Sequence, residues 1–345
     1  MKKKIAMIFG VTGQDGAYLA KFLLNKNYIV HGIKRKTSLI NTKRIDDIYE
    51  DKNTKGKKFF LHFGDVTDYG STFNLINKIL PDEIYNLSAQ SHVAVSFQLP
   101  EYTANTNALG VLRILESIRS LKYKEIKFYQ AGTSEMFGKV KEIPQNEKTP
   151  FYPRSPYAVS KLFGHWITTN YRESYNLFCC NGILFNHESP LRGETFVTKK
   201  IVKSLVRIAN GYKEKLYLGN IYAKRDWGHA QDYVEGMWKM LQQKKPRDYV
   251  LATGKTYSVK FFIKKVSEML NLKISWKGKG LNEKGFIGKK VIIEIHKDYF
   301  RPSEVDILIG DAKKARKELN WNPKKDLEYT IRDMISFEKK SLNEK

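Results

Sequence analysis

Residues 4–23 read KIAMIFGVTGQDGAYLAKFL, and this segment sets the architecture of the chain. Lys4 to Phe9 predict a short apolar strand, and the spacing of Leu19 and Leu23 predicts an amphipathic helix. Between the strand and the helix lies a glycine-rich turn with the spacing GxxGxxG. In such a unit the glycines let the backbone approach a pyrophosphate, whose charge is met by the helix N-terminus. The unit predicts a dinucleotide site formed by Gly10, Thr12, Gly13, Gln14, Asp15 and Gly16.

The end of the second predicted strand indicates which dinucleotide is bound. This strand runs from Tyr28 to Ile33, and an NAD-binding unit usually carries an acid there for the ribose hydroxyls. The chain instead reads KRKTS at residues 34–38. Cations and hydroxyls suit the 2′-phosphate of NADP, which a carboxylate would repel. We predict NADP as the cofactor, with an ordinary basic loop as the alternative.

Further apolar runs alternate with helical patterns through the first half of the chain. The predicted strands are 59–63, 83–87, 126–130 and 178–185. A long helix is expected from about Pro100 to Leu121. This order predicts an α/β fold, a Rossmann-type doubly wound parallel sheet accompanied by a smaller mixed α/β substrate lobe.

After residue 186 the regular alternation of apolar strands and helices gives way to a turn-rich segment followed by shorter elements, which suggests two domains. We expect an NADP-binding Rossmann domain at 1–186, rejoined by about 224–252, and a substrate lobe at 187–223 and 253–345. Within that lobe, the Gly/Lys-rich stretch from Lys277 to Lys290 predicts a loose loop.

Two polar motifs follow the fifth predicted strand. GTSE occupies residues 132–135 and SPYAVSK occupies residues 155–161. Tyr157 and Lys161 are about 40° apart around a helix, so an ammonium can lie beside a phenol and favour its anion. This spacing predicts Tyr157 as a base near neutral pH. A chance match to a short motif is the alternative.

The helix that carries Tyr157 is expected to begin behind a Ser155 cap, with Pro156 in its first turn, and to run to about Arg172. Packing of the helix body against the protein core would then fix the position of Tyr157 near the helix start. The buried stripe is predicted to be Val159, Leu162, Phe163, Trp166 and Ile167.

Composition limits the choice of partners. The chain has 345 residues and a formal net charge of +25, which could indicate a nucleic-acid partner. The lysines are spread over the whole length with acids among them, however, as solvated faces would be. We therefore expect no nucleic-acid partner, although the charge would attract anionic phosphate ligands.

The remaining composition points to a cytoplasmic protein without metal. There is no run of about 18 apolar residues and no signal-peptide pattern, so we expect no membrane contact. Cys179 and Cys180 are neighbours in an apolar strand pattern and would point to opposite faces, buried and unbridged. Histidine is sparse and lacks the spacing of metal ligands.

With these motifs the chain resembles the extended short-chain dehydrogenase/reductase family and, within it, the GDP-mannose 4,6-dehydratase subfamily. The two sequence motifs most specific to that subfamily are NGILFNHESP at 181–190 and RDWGHA at 225–230. Stretches similar to the family cover nearly the whole length: 10–16, 85–97, 129–138, 150–161, 181–192, 225–233 and 299–306.

The resemblance implies a reaction on a GDP-sugar. Tyr157, assisted by Lys161 and the nicotinamide cation, would take the proton of the sugar 4-hydroxyl while hydride passes from C4 to NADP. Glu135 would remove the C5 proton and assist loss of the 6-hydroxyl as water, and the same hydride would return to C6. Thr133 would hydrogen-bond the 4-oxygen. Catalytic residues are thus expected to be Thr133, Glu135, Tyr157 and Lys161.

The resemblance also implies binding residues and an assembly. Cofactor contacts, beyond the glycine turn, would be Arg35, Ser38, Asp65, Val66, Leu87, Ala89, Ser91, Tyr102, Lys161, His187 and Arg192. Substrate contacts would be Thr133, Ser134, Glu135, Asn186, Val197, Lys200, Arg225, Arg301 and Glu304. A homotetramer is expected, with a dimer as the alternative, because the loop after the second strand reaches a neighbouring subunit's cofactor in the family.

Two departures from the family pattern bear on the substrate. Gly132 stands where the family usually has serine, and Leu191 stands where it has arginine. Gly132 predicts extra room near the sugar, so GDP-D-glycero-D-manno-heptose stays beside GDP-mannose as a candidate. Another NAD(P)-dependent nucleotide-sugar epimerase or dehydratase is an alternative, although an epimerase does not need Glu135. An inactive Rossmann-fold protein that binds nucleic acid or regulates is the alternative from another class.

Overall fold

The computed structural model describes residues 3–49, 54–121, 123–300 and 303–344. The strands are β1 (Ile5–Phe9), β2 (Ile29–Lys34), β3 (Phe59–Phe63), β4 (Glu83–Asn86), β5 (Lys127–Ala131), β6 (Cys179–Leu184), β7 (Asn186–Glu188), β8 (Leu216–Leu218), β9 (Lys224–Arg225), β10 (Trp227–His229), β11 (Tyr249–Leu251), β12 (Tyr257–Ser258), β13 (Ser275–Lys277), β14 (Lys284–Ile287) and β15 (Lys290–Ile295). The α-helices are α1 (Gln14–Asn25), α2 (Tyr69–Ile79), α3 (Val93–Gln98), α4 (Pro100–Ala104), α5 (Gly110–Ser120), α6 (Pro156–Tyr175), α7 (Val197–Ala209), α8 (Ala230–Leu241), α9 (Val259–Met269), α10 (Lys313–Leu319) and α11 (Leu327–Asn343).

The main sheet has seven strands in the order β11-β6-β5-β4-β1-β2-β3, and all of its pairs are parallel. The strand order reverses at β1, whose neighbours are β2 and β4. In open α/β sheets a ligand binds at the carboxyl edge beside such a reversal. The predicted Rossmann-type doubly wound sheet is confirmed.

Both faces of this sheet are covered by helices. Helices α1 and α8 lie on one face, and α2, α5 and α6 lie on the other. Successive residues of β1 alternate between the two apolar clusters, as the two-residue period of a strand requires. Cys179 and Cys180 do the same, and both are buried and unbridged, as predicted.

The turn after β1 needs glycine at two places. Gly10 has φ +81, and a Cβ there would lie 2.9 Å from the Leu87 carbonyl. A Cβ on Gly16 would lie 2.3 Å from the Gly10 carbonyl oxygen. The turn is therefore folded tightly against the end of β4 and the start of α1.

A second apolar cluster has its own mixed sheet, ordered β13-β14-β15-β8 and packed with helices α7, α9 and α11. The prediction of a loose loop from Lys277 to Lys290 is wrong. This stretch contains β14, which pairs antiparallel with both β13 and β15. Phe286 and Ile287 lie in that strand, and the lysines around them hid its short pattern. The residue limits of the two domains stay a prediction.

Helix α6 buries a different face from the predicted one. Val159, Phe163 and Trp166 are 55%, 40% and 56% exposed. The face toward the core is formed by small and polar residues: Tyr157, Ala158, Ser160, Lys161, Gly164, His165, Thr168 and Thr169. The helix lies so close to α5 that a Cβ on Gly164 would be 3.2 Å from Val111 Cγ2. Close packing thus selects small residues. Val159, Phe163 and Trp166 remain outside, whereas Leu162 and Ile167 of the predicted stripe pack partly buried against the core.

The single long helix expected from Pro100 to Leu121 is divided. Helix α4 passes into a π-helical turn at Asn105–Leu109 before α5 begins. Arg113 donates to the Asn105 carbonyl (3.2 Å) and to its side-chain oxygen (2.8 Å) across this turn. Such π-helical turns occur often at functional sites.

Candidate active site

A cavity of about 750 Å³ opens at the carboxyl edge of the main sheet and extends to the second apolar cluster. Leu87, Ala131 and Leu184, at the ends of three neighbouring strands, form part of its wall. Tyr217 and Val259 contribute from the side of the mixed sheet. Its position beside the strand-order reversal is where a doubly wound sheet binds its ligands.

The segment after β5 supplies three polar residues to this cavity. Thr133, Ser134 and Glu135 all line it and are all buried. The Thr133 hydroxyl accepts a hydrogen bond from the Glu135 amide at 3.2 Å and caps the short helical turn Ser134–Met136. The capped turn therefore fixes the backbone that carries Thr133 and Glu135 at the wall of the cavity.

Helix α6 supplies the tyrosine and the lysine. It begins as predicted, with Ser155 Oγ accepting from the Ala158 amide at 3.1 Å and Pro156 in the first turn. Tyr157 hydrogen-bonds the Thr133 side chain. The Lys161 ammonium donates to the Ala131 carbonyl at 3.0 Å. All four predicted catalytic residues thus line one cavity.

The charges around the phenol differ from the expected arrangement. Burial raises the pKa of Tyr157 to about 12, and the Glu135 charge acts in the same direction. The Thr133 hydrogen bond and the Arg192 guanidinium lower the pKa of Tyr157. Burial also lowers the pKa of Lys161 to about 8, against the attraction of Asp15. Without a ligand, Tyr157 is therefore protonated at neutral pH.

The glycine turn has the features of a pyrophosphate site. Helix α1 begins at Gln14, and its N-cap residue is Gly13, which has no side chain to accept a hydrogen bond from the first helical amides. Gly13 itself is exposed. The first amides of a twelve-residue helix are thus open toward an anion, which fits the phosphates of a dinucleotide.

Three residues predicted to bind the cofactor have their side chains engaged elsewhere. Gln14 Nε2 donates to the His187 carbonyl at 3.1 Å, and Gln14 Oε1 accepts from Ser189 Oγ at 2.7 Å. The His187 ring lies between Asp15 Oδ2 (2.7 Å) and the Phe185 carbonyl oxygen (2.8 Å). The glycine turn is therefore joined to the strand β7 and the residues that follow it.

Arg192 and Arg44 strengthen the same junction. Arg192 pairs with Glu188 at 3.0 Å and lies over the Phe196 ring at 3.8 Å. Arg44 donates to the Leu191 carbonyl (2.8 Å) and to the Thr12 carbonyl (3.2 Å). Arg44 belongs to no recognisable sequence motif, so the sequence analysis did not predict its role at this junction.

The remaining predicted cofactor residues divide into two groups. Leu87, Ala89 and Ser91 line the cavity together with Asp15, Lys161, His187 and Arg192. Arg35, Ser38, Asp65, Val66 and Tyr102 lie outside its lining. In this second group Arg35 donates to the Tyr102 hydroxyl at 2.6 Å, and Asp65 accepts from the Thr67 amide at 2.9 Å.

Asn107 positions the segment between Leu87 and Ser91, and the sequence analysis gave it no role. Its side chain accepts from the Gln90 amide at 2.8 Å and donates to the Gln90 carbonyl at 2.9 Å. It also donates to Ser160 Oγ on α6 at 3.2 Å. The π-helical turn of residues 105–109 thus holds a wall of the cavity in place.

The predicted substrate residues lie along the same cavity. Asn186, Val197, Lys200, Arg225 and Glu304 line it with the Thr133–Glu135 turn, and Arg301 lies outside the described residues. Arg225 donates to the Val305 carbonyl at 2.7 Å and pairs with Glu304 at 3.3 Å. Lys200 lies over the Tyr299 ring at 3.8 Å. Two cations therefore line the side away from the main sheet.

The prediction that Gly132 gives extra room near the sugar is wrong. A Cβ on Gly132 would lie 2.7 Å from the Gly182 carbonyl oxygen and 3.3 Å from Met136 Cε. The Gly132 amide donates to that same carbonyl at 2.7 Å. Gly132 itself lines the cavity, but a side chain there would begin against the neighbouring strand β6. Leu191 packs partly buried against the main core.

In the described parts of the chain no group of His, Cys, Asp and Glu side chains is arranged to hold a metal ion. The same parts contain no helix long and apolar enough to cross a membrane.

Comparison with known proteins gives consistent matches. The family model described as GDP-mannose 4,6 dehydratase matches residues 7–334. The GDP-mannose 4,6-dehydratase of Vibrio cholerae serotype O1 is 54% identical over 97% of this chain and 94% of its own length. The GDP-mannose 4,6 dehydratase of Drosophila melanogaster is 55% identical over 97% of this chain and 86% of its own.

Solved structures share the fold at low sequence identity. A Thermotoga maritima UDP-glucose 4-epimerase with UDP-glucose has a TM-score of 0.81 at 20% identity and covers 98% of this chain and 99% of its own. A Bacillus anthracis dTDP-glucose 4,6-dehydratase with NAD has a TM-score of 0.80 at 20% identity, covering 99% and 98%. A Pseudomonas aeruginosa protein called RMD, complexed with NADPH, has a TM-score of 0.75 at 19% identity, covering 98% and 100%.

Proposed function

Because the chain belongs to the GDP-mannose 4,6-dehydratase family, we propose that it dehydrates a GDP-activated manno-configured sugar to the 4-keto-6-deoxy sugar and water. The observation that carries this proposal is the common cavity. Thr133, Glu135 and Tyr157 line it together with Lys200 and Arg225. An acid, a phenol and a hydroxyl thus lie where the sugar would bind, and the cations Lys200 and Arg225 line the part of the cavity that would hold the diphosphate.

The chain's own residues would move the protons. Tyr157 takes the proton of the sugar 4-hydroxyl, and Thr133, already hydrogen-bonded to Tyr157, holds the 4-oxygen. Once C4 is a ketone, Glu135 removes the acidified C5 proton and assists departure of the 6-hydroxyl as water. When bound, the nicotinamide cofactor supplies the hydride acceptor for C4 and afterwards the hydride donor for C6. The reaction therefore consumes no external reductant.

The phenol needs help to ionise, since its pKa is about 12 without ligand. Arg192 already lowers this pKa, and the positive nicotinamide ring would lower it further. Lys161, held on the Ala131 carbonyl, adds a buried donor close to the catalytic turn.

We propose NADP as the cofactor. The strand β2 ends in Lys34, and no acid follows it in residues 34–38. Arg35 and Ser38 are exposed there, and Arg35 is oriented by its hydrogen bond to Tyr102. Fold neighbours include several structures with NAD and one with NADPH, so measurement decides between the two cofactors. Titration calorimetry should give tighter binding of NADP than of NAD, and the reverse order would contradict the choice.

We also propose a homotetramer, with a dimer as the alternative. The exposed stripe of Val159, Phe163 and Trp166 on α6 offers an apolar surface for a second copy. Leu39 and Ile40 are 83% and 89% exposed in the loop after β2 and would supply a second contact. Light scattering of the purified protein would give the subunit number, and a monomer at all concentrations would exclude both assemblies.

The activity is tested by incubating the enzyme with GDP-mannose and, in parallel, with GDP-D-glycero-D-manno-heptose. No reductant is added, and loss of water is followed by mass spectrometry. Deuterium placed at C4 should reappear at C6 of the product. Since the argument from Gly132 for the heptose has failed, the faster substrate is decided by this comparison alone.

Two variants separate the assigned roles. Glu135→Gln should block elimination, because no carboxylate then takes the C5 proton, and Tyr157→Phe should prevent the first oxidation. Full activity of Glu135→Gln would contradict the mechanism. An epimerised sugar without loss of water would favour the epimerase alternative.

A further inference from the structure

The junction between the glycine turn and the strand β7 consists of side chains whose polar atoms are engaged with one another. Gln14 Nε2 also donates to Asp15 Oδ1 at 2.9 Å, in addition to its bond to the His187 carbonyl. Its carbonyl oxygen accepts from Ser189, as described above. We call Gln14, Asp15, His187 and Ser189 the turn lock.

The hydrogen bonds of His187 define its charge. Nδ1 faces the Phe185 carbonyl oxygen, which can only accept, so this nitrogen carries a proton. Nε2 faces Asp15 Oδ2 at 2.7 Å, and the other Asp15 oxygen already accepts from Gln14. An ionised Asp15 can only accept as well, which puts a second proton on the ring. The ring also stacks on Tyr233, with centroids 4.5 Å apart.

The surrounding charges favour this ion pair. Burial works against both charges, but the His187 charge and hydrogen bond lower the pKa of Asp15 overall, and Asp15 raises the pKa of His187. Arg192 opposes the protonation of His187 and favours the ionisation of Asp15. The Asp15 charge also acts on the pKa of Lys161, Tyr157, Tyr129, Tyr18 and Tyr233.

We propose that Asp15 and His187 are positioning residues, a carboxylate–imidazolium pair that fixes the glycine turn on strand β7. Both ring N–H groups of His187 donate within the protein, so the ring donates no hydrogen bond to the cofactor. Strand β7 carries Asn186, which lines the cavity, and pairs with β10 just beyond Arg225. The pair thus couples the cofactor turn to the strand that lines the substrate side. This inference rests on the proposed function only for the class of cofactor.

The pH range in which the ion pair stabilises the fold follows from the directions of the pKa shifts of Asp15 and His187. The lowered pKa of Asp15 means that its contribution is present above the ordinary carboxyl value and is lost as pH falls through the lowered pKa. The raised pKa of His187 means that its contribution is complete below about 6.5 and is lost as pH rises through the raised pKa. The turn lock is therefore strongest between the ordinary carboxyl value and about 6.5, and it weakens as pH rises through the raised pKa of His187.

The charge is tested first, on the enzyme without cofactor or sugar. Nitrogen-15 histidine spectra are recorded across pH, and His187→Gln assigns the signal by its disappearance. We expect both ring nitrogens of His187 to remain protonated at pH values where a free imidazole has lost its proton. Asp15→Asn should shift the titration to lower pH. A neutral His187 tautomer in the wild-type protein at pH 6 would overturn the proposal.

The coupling is tested by titrating NADP into the wild type, Asp15→Asn, His187→Gln and the double variant. Each single change should weaken binding about ten-fold, and the double variant should be no weaker than either, because both break one pair. Additive losses would show that His187 contacts the cofactor independently and would overturn the positioning role. Asp47→Asn, which removes the surface partner of Lys21 on the same helix α1, is the control and should not change the affinity.

The two arms distinguish the failure of this inference from the failure of the proposed function. The spectra report on His187 whether or not any sugar is turned over. A charged His187 in a protein that dehydrates no GDP-sugar would leave the pair standing and remove the proposed function. A neutral His187 in an active dehydratase would do the opposite.

Discussion

At the scale of single residues, the active site combines groups that burial makes costly. Tyr157, Lys161 and Glu135 are all buried at the carboxyl edge of the sheet. Burial raises the pKa of Tyr157 and lowers the pKa of Lys161, so each is pushed toward its neutral form. Removing such a group should therefore stabilise the protein while it removes function.

Lys161→Met tests this cost through its pH dependence. Because the pKa of Lys161 is lowered to about 8 from 10.5, the unfolded chain binds more protons between these values, and wild-type stability rises with pH there. Urea unfolding of the ligand-free proteins should show the variant more stable at pH 7, by at most about 3 kcal/mol. The difference should shrink as pH rises above 8, and turnover should be lost.

Lys203→Met is the matched control, since Lys203 is a surface lysine paired with Glu194. Its stability relative to the wild type should not depend on pH in this window. A Lys161→Met protein that is less stable than the wild type at every pH would contradict the argument.

Gly132→Ser tests the packing of the catalytic turn. The new Cβ would lie 2.7 Å from the Gly182 carbonyl oxygen, so β5 and β6 must move apart. Overpacking of this kind costs about 1–3 kcal/mol, which urea unfolding would measure. The ratio of the rates with GDP-heptose and GDP-mannose should change little, because the side chain does not point into the cavity. Gly70→Ala in α2, where a Cβ makes only an ordinary contact at 3.4 Å, should not destabilise.

At the scale of elements, helix α6 serves two purposes on two faces. Its core face presents Tyr157 and Lys161 to the cavity and otherwise contains mainly small and polar residues, because α5 lies close. Its outer face carries Val159, Phe163 and Trp166. An apolar stripe left outside on a helix that is anchored on its other face is typical of a contact between subunits.

Phe163→Glu combined with Trp166→Glu should prevent the proposed assembly if its subunits pack through the exposed α6 stripe. Two charges would have to be buried without partners, which disfavours association strongly. Light scattering should show a fall in mass, and circular dichroism should show retained helix. Leu281→Glu, at a residue 55% exposed in the mixed-sheet region, is the control and should leave the mass unchanged. An unchanged mass for the double variant would contradict this use of the stripe.

At the scale of the whole molecule, the cations behind the net charge of +25 are spread along the sequence with acids among them. Lys4 pairs with buried Glu83, and Lys260 pairs with buried Glu283. Lysines that serve such local partners do not form a continuous stripe along a nucleic-acid backbone.

We therefore expect only nonspecific attraction to duplex DNA. Fluorescence anisotropy with a short labelled duplex should show weak binding at low salt that disappears near physiological salt, because released counterions drive such binding. Binding that persists at physiological salt would favour the nucleic-acid alternative.

The sequence alone was sufficient for six of the seven strands of the main sheet, all but β11, and for four predicted catalytic residues that line one cavity. These strands are continuous apolar runs, and Gly10 lies where the first run meets its helix. Since parallel strands end at one edge, residues that follow β4, β5 and β6 had to meet there. The strand pattern placed Thr133 and Glu135 at that edge, and the resemblance to the family grouped Tyr157 with them.

The neighbours of each side chain depended on the tertiary structure. Residues of α6 were assigned to the wrong face because periodicity gives the spacing of an apolar stripe but does not reveal whether the core or the surface receives it. Gln14 and Asp15 are separated from His187 by more than 170 positions, so their mutual hydrogen bonds leave no local signal. The crowding at Gly132 arises from a carbonyl on the neighbouring strand, which only the folded sheet brings there.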